Sequence, residues 1–208
     1  MNIEKKLNKI IIISSPSGAG KTTICKKLLK IMKNIDLSIS YTTRKKRVNE
    51  KDGKDYYFVS TKKFKDFKKR NHFIETAKVF KHYYGSPYKN INNSFKKNKS
   101  ILFDIDWQGA NKLRKKFSKD IIIDFFILPP SKKELKKRLD KRGRDNIKEI
   151  KMRLSLALSE ISHHSDYQYV VINDKLNDSI KTIANIIKFH QLKTSLENKV
   201  IKNLKQIK

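Results

Sequence analysis

Between Ser15 and Thr23 the chain reads SPSGAGKTT, entered from four consecutive isoleucines, Ile10 to Ile13, and followed by an apolar-periodic run. Such a stretch suits one kind of chemistry. The backbone N–H groups of a small-residue loop wrap a polyphosphate, and the helix behind it points the positive end of its dipole at the charge. In that frame Lys21 reaches the β- and γ-phosphates, and the Thr22 hydroxyl ligates Mg²⁺. The pattern G-x-x-x-x-G-K-[ST] asks for Gly where this chain has Ser15. If the loop's first residue needs a positive φ, Gly adopts it freely and Ser does not. The plain alternative is a strand-to-helix turn with a chance Gly-Lys-Thr. The order strand, loop, helix argues against it.

A second cluster lies further on: SISYTTRKKR at Ser38–Arg47, DGKDYYFV at Asp52–Val59 and FIETAKVFKHYYGSPY at Phe73–Tyr88. Arg44 and Arg47 stand three apart beside hydroxyls. Arg presents a planar fork that grips phosphate oxygens two at a time, which Lys does not. With Tyr56 and Tyr84 the pair is a candidate monophosphate holder, against a reading as surface charge and core tyrosines. Glu75 lies in an otherwise apolar run. A carboxylate only accepts, so it can take the adjacent N1–H and N2–H₂ donors of guanine, a pair that adenine lacks. Taken alone, Glu75 reads rather as the polar face of an amphipathic strand. Asp104 and Asp106 end another apolar run, as candidates for holding water on Mg²⁺ or a purine donor, or for capping the next helix. His163 and His164 read as a solvated helix end.

These residues need a frame. Strand-like apolar runs recur at Ile10–Ser14, Ser100–Asp104, Ile121–Leu128 and Tyr169–Ile172. Helical patterns separate them at Lys21–Met32, Trp107–Phe117, Ser131–Lys141 and Leu176–Leu192. Continuous apolar strands alternating with helices predict an α/β fold, a parallel sheet covered on both faces. Ligands then bind beyond the carboxyl ends of the strands, where the glycine loop and Asp104–Asp106 both fall. Leu37–Phe95 breaks the pattern as a small mixed lobe. Arg138–Ser162 reads as a basic helical pair around Gly143, a mobile lid. Leu192–Lys208 reads as a surface helix or frayed end.

At 208 residues one domain with inserted lobes is expected, 38% hydrophobic and able to bury a core. No signal peptide or membrane span is legible, which points to the cytoplasm. The single Cys25 has no internal disulfide partner and reads as a small core residue. The net charge of +30 invites a nucleic-acid reading. Its excess is nearly all Lys, scattered along the chain, which favours a solvated basic surface without a specific nucleic-acid partner.

Taken in order, SSPSGAGKTT, SxxTTRxxR, GxDYxFV, FIE, YYGS, DIDWQGA and RLxxRG resemble the guanylate kinases, P-loop nucleoside monophosphate kinases, over about residues 9–190. The resemblance implies a P-loop NTPase sheet flanked by helices, with an inserted mixed α+β GMP-binding lobe and a helical lid. It implies a core of 1–36, 97–137 and 164–208, a lobe of 37–96 and a lid of 138–163. It implies transfer of the γ-phosphoryl group of ATP to GMP with Mg²⁺. By motif, Ser15, Pro16, Ser17, Gly18, Ala19, Gly20, Lys21, Thr22 and Thr23 would bind ATP, with Thr22 on the metal and Asn173 near the ATP base. Ser40, Glu75 and Asp106 would read guanine. Arg44, Arg47, Tyr56 and Tyr84 would hold the GMP phosphate, with Ser86 nearby and Asp104 at the base-and-metal edge. Arg138, Arg142 and Arg153 would be lid residues, acting with Lys21 and Arg44 on the transferring group. Besides Ser15, the family's usual Pro-Gly after the second Arg is Val48-Asn49 here. A catalytically silent binding module, a kinase for another monophosphate and a charge-driven RNA binder are the rivals. Self-association into a homo-oligomer is left open.

Overall fold

The computed structural model describes residues 8–140 and 147–207. Strand β1 (Ile10–Ser14) is fully buried, so both of its faces must be covered. It lies at the centre of a five-stranded parallel sheet of order β2-β7-β1-β8-β9, with β2 at Ile35–Leu37, β7 at Ser100–Asp104, β8 at Ile122–Leu128 and β9 at Tyr169–Ile172. The period of two sorts its side chains. Ile11 and Ile13 pack against helices α1 (Lys21–Ile31) and α7 (Leu176–Ile207) through Ile24, Leu28, Ile183 and Ile187. Ile10 and Ile12 pack against α3 (Tyr88–Lys96) and α4 (Trp107–Lys116) through Ile91, Ala110 and Leu113.

In register, Ile13 lies opposite Asp104 on β7 and Phe125 on β8. The glycine loop after β1 and the Asp104–Asp106 segment therefore leave the sheet side by side at its carboxyl edge. Helices α5 (Lys132–Asp140) and α6 (Ile147–Ile161) meet around Leu135, Leu139 and Ala157, beside the loop.

A separate mixed sheet has the order β4-β3-β6-β5: β3 (Tyr41–Thr42), β4 (Tyr57–Phe58), β5 (Phe73–Val79) and β6 (His82–Pro87). Its helix α2 (Thr61–Lys69) begins at Ser60, whose side chain accepts from Lys63 N. Phe64 and Phe73 stack with centroids 4.7 Å apart. The mixed sheet is packed by an aromatic cluster that also includes Tyr41, Phe67 and His72.

Three differences from the sequence reading have simple causes. Strand β2 was not anticipated, because three residues are too few for a periodic signal. It pairs with β7 as Leu37 against Leu102, so Leu37 belongs to the parallel sheet and not to the lobe. Helix α7 does not end at Leu192. It runs to Ile207, with no Gly or Pro after Leu176 to stop it. Beyond its buried contacts it exposes Phe189, Leu192, Leu196 and Val200, each 53–60% accessible. Among the described residues, no helix is long and apolar enough to cross a membrane.

Candidate active site: a phosphate loop facing a buried carboxylate

The loop's conformation explains its glycines. Gly18 and Gly20 have φ of 95° and 98°. A Cβ on Gly18 would press on Leu135 and Leu139 of α5, and one on Gly20 would sit 2.5 Å from Nδ2 of Asn173. Ser15 is not among the positive-φ residues, so Gly is not needed at the first position. Its hydroxyl instead donates to the carbonyl of Pro16 at 3.0 Å. Ala19 is fully buried, and its carbonyl accepts from Asn173 Nδ2 at 2.8 Å.

Lys21 opens α1. Its Nζ lies 2.7 Å from Oδ1 of Asp104 and donates to the carbonyl of Ile105 at 3.0 Å. Burial pulls the Lys21 pKa down, but Asp104 more than offsets this, and the ammonium stays charged. The Thr22 hydroxyl donates to Oδ2 of the same carboxylate at 3.2 Å. Asp104 thus gathers the loop's cation and its hydroxyl at one point.

A chain of three polar residues runs through the mixed sheet, with Glu75 on β5, Ser86 on β6 and Ser40 just before β3. Ser86 Oγ donates to Glu75 Oε1 at 2.6 Å, and Ser40 Oγ is 2.9 Å from Ser86 Oγ. A serine has one O–H. Ser86 spends it on Glu75, so Ser40 is the donor to Ser86. Glu75 is 4% exposed, and burial pushes its pKa up to about 7, aided by nearby Asp106 and opposed by the Ser86 bond. Asp106 caps α4 by accepting from Gly109 N at 2.9 Å, and it also lines the cavity. Capping, one of its sequence readings, is therefore observed, and the carboxylate stands at the cavity wall. Burial raises its pKa as well.

Arg44 lies over the Tyr56 ring, 5.5 Å from its centroid, and the rings of Tyr56 and Tyr84 are 5.9 Å apart. Its guanidinium forms a two-pronged pair with Glu50, at 3.0 Å from Nη1 and 2.7 Å from Nη2. Arg47 is more exposed, with Nη1 3.8 Å from Glu50.

Ser15, Pro16, Ser17, Gly18, Gly20, Lys21, Thr22, Ser40, Arg44, Arg47, Tyr56, Glu75, Tyr84, Asp104 and Asp106 all line one cavity of about 210 Å³. A wider recess of about 670 Å³ between α1 and the 47–56 loop, where Thr23 lies, shares Thr22, Ser40, Arg47, Tyr56 and Asp104 with it. Ala19, Ser86 and Asn173 are buried behind the wall. Arg138 is not brought to the cavity. It pairs with Glu134 at 3.0 Å and donates to the carbonyl of Asn173 at 3.1 Å. Arg142 lies outside the described residues, and so does the side chain of Arg153 on α6.

Sequence reasoning missed two acids. Glu160 of α6 lines the cavity and accepts from Ser17 N at 3.2 Å. Glu50 backs Arg44 from six residues away. Neither carries a local signal, since each is one charge in a charged stretch. His163 was expected to be solvated at a helix end. It stacks on Trp107 instead, with centroids 3.7 Å apart and planes within 12°, while His164 is exposed. Cys25 is buried, as expected.

Comparison with known proteins is consistent along most of the chain. The guanylate kinase family model matches residues 7–190. The guanylate kinase of Rickettsia prowazekii (strain Madrid E) is 48% identical over 183 residues, covering 88% of this chain and 92% of that protein. That of Wolbachia pipientis wMel is 46% identical over 184 residues, covering 88% and 91%. The crystal structure of guanylate kinase from Anaplasma phagocytophilum superposes with a TM-score of 0.75 at 37% identity, covering 90% of this chain and 88% of the other. With the phosphate loop and the buried carboxylate lining one cavity, the chain belongs to the guanylate kinase family.

Proposed function

We propose that the chain transfers the γ-phosphoryl group of ATP to GMP, giving ADP and GDP, in the cytoplasm. One observation carries the assignment of the two ends. A phosphate loop and a buried acceptor, Glu75, oriented by Ser86 and Ser40, line a single cavity. Residues 15–23 cradle the ATP phosphates, and Asn173 supports the loop from behind. Ser40, Glu75 and Asp106 read guanine, while Arg44, Arg47, Tyr56 and Tyr84 hold its phosphate.

Thr22 and Asp104 suit Mg²⁺. Both offer hard oxygen atoms, they lie 3.2 Å apart, and they stand beside the loop lysine. Magnesium held there through few protein ligands would neutralise phosphate charge.

Phosphoryl transfer of this kind is positioning and charge cancellation. The GMP phosphate is an anionic nucleophile, so the site needs no strong base. Arg44 and its neighbours hold that nucleophile in line, and Lys21 spreads charge on the transferring group. Residues 38–96 act as a GMP lobe and 138–163 as a lid. Closing together over both nucleotides, they keep water out. Scattering that shows no compaction with both nucleotides bound would count against closure.

The deciding experiment is steady-state ADP production with Mg-ATP and each of GMP, dGMP, AMP, UMP and CMP. Turnover with GMP and near silence with AMP and the pyrimidines is expected. Turnover with AMP instead would overturn the base assignment. Silence with all five from folded protein that still binds GMP would favour a binding module.

A further inference from the structure

Arg44 and Glu50 face different spaces. Arg44 lines the inner cavity, whereas Glu50 lines only the outer recess. The carboxylate therefore approaches the guanidinium from behind. It takes one N–H of Nη1 and one of Nη2, and the carbonyl of Lys45 takes a further Nη1 N–H at 2.8 Å. A guanidinium has five N–H bonds. Two of them, on Nε and the outer side of Nη2, are taken up by neither Glu50 nor Lys45, and the Tyr84 hydroxyl, itself at the cavity wall, is the other side chain that hydrogen-bonds the guanidinium.

Glu50 is itself fixed. Its carboxylate accepts from Arg47 N at 2.9 Å, and its own N–H donates to the Arg47 carbonyl at 3.1 Å. This closes a turn through Val48 and Asn49, the place where the chain departs from the Pro-Gly of its resemblance. Neither residue has a positive φ, so the turn is not the type II form that Pro-Gly favours. The shape of the loop then depends on the carboxylate that bridges its two ends. Val48 at the tip is 89% exposed and contributes little packing.

We propose that Glu50 is a positioning residue for the acceptor substrate: it clamps Arg44 from the recess side and presents the remaining edge of the guanidinium to the phosphate of the nucleoside monophosphate. This rests on the reading of Arg44 as a phosphate holder. A carboxylate that merely occupied the phosphate's place would stand on the cavity side of the arginine, and Glu50 does not. Aligning the fork before substrate arrives removes an ordering step from binding.

The test is a double-mutant cycle on the full chain with Glu50→Gln, Arg44→Lys and the pair together. GMP KM, kcat and binding of a non-hydrolysable ATP analogue are the readouts. Glu50→Gln keeps the size and removes the charge-assisted clamp. A rise in GMP KM of roughly 10- to 100-fold is expected, with ATP-analogue binding unchanged. Arg44→Lys loses the fork, and the double variant should be no worse than Arg44→Lys alone. Glu50→Asp, which keeps the charge on a shorter arm, should recover part of the loss. Unchanged or lowered GMP KM in Glu50→Gln overturns the proposal, as do losses that multiply in the double variant. If Arg44→Lys alone leaves GMP kinetics untouched, the underlying reading of Arg44 fails instead.

Discussion

A Cβ placed on Gly109 would lie 2.8 Å from Oε2 of Glu75. The first turn of α4 is therefore built against the carboxylate that is proposed to read the base. Gly109 also donates its N–H to Asp106, so one glycine serves both acids. Gly109→Ala should separate stability from recognition. Ala is favoured over Gly within a helix by roughly 0.5–1 kcal/mol, which should offset part of the steric cost. The methyl group must push Glu75 aside, so GMP KM is expected to rise by about tenfold or more while ATP KM stays near wild type. Parallel thermal melts and kinetics check this, and an unchanged GMP KM would detach Gly109 from the site.

Glu75 carries a pH signature. Burial raises its pKa from 4.5 to about 7 in the folded chain. The folded state therefore binds this proton more tightly than the unfolded state does. The contribution to stability is fully present below about pH 4.5 and is lost as pH rises through about 7, on the order of 3 kcal/mol in all. Glu75→Gln should erase that slope, gaining on wild type as pH rises from 5 to 8 in paired denaturation curves. Guanine recognition has the opposite sign, because only the ionised carboxylate accepts two N–H donors. Inhibition by guanosine, which has no phosphate of its own to titrate, should strengthen up to about pH 7 and then level off. The Gln variant should show neither the trend nor useful GMP turnover, with an amide donor set against a guanine donor at roughly 1–3 kcal/mol per mismatched group.

Asn173 fastens the phosphate loop from behind. Its Nδ2 donates to the Ala19 carbonyl, and its Oδ1 lies 3.3 Å from Ser179 Oγ. Asn173→Ala leaves the buried Ala19 carbonyl without this partner. A destabilisation of about 1–3 kcal/mol is expected, with a rise in ATP KM larger than any in GMP KM. Chemical denaturation and nucleotide titrations measure both. Equal effects on the two nucleotides would mean that the loop is not the part disturbed.

Lys21→Met removes the cation that Asp104 now balances. Turnover should fall by about 10²–10³-fold or more, since charge on the transferring group is no longer spread. The fold should survive, because Lys21 Nζ contacts a carboxylate and a carbonyl in the cavity wall and not the apolar core. Near-native activity in this variant would remove the basis for reading the loop as a phosphate site.

The four isoleucines of β1, the glycines at 18 and 20 and the apolar runs around them were enough, by themselves, to determine a parallel sheet with a phosphate loop at its carboxyl edge. Those signals are local: periodicity, backbone freedom and helix entry are properties of neighbouring residues. The site residues singled out by type and spacing mostly line one cavity, because their motifs lie on element ends that the sheet register brings together. Other facts were decided only in three dimensions. Glu75 is one acid in an apolar run until folding buries it among Ser86, Gly109 and Asp106 and burial raises its pKa. Glu50 and Glu160 are ordinary surface acids until folding sets one behind Arg44 and the other on Ser17. Arg138 bears the expected charge, yet packing commits it to Glu134 and the Asn173 carbonyl. A side chain's role at a site depends on its desolvation and on partners far away in sequence, and only the tertiary structure supplies these.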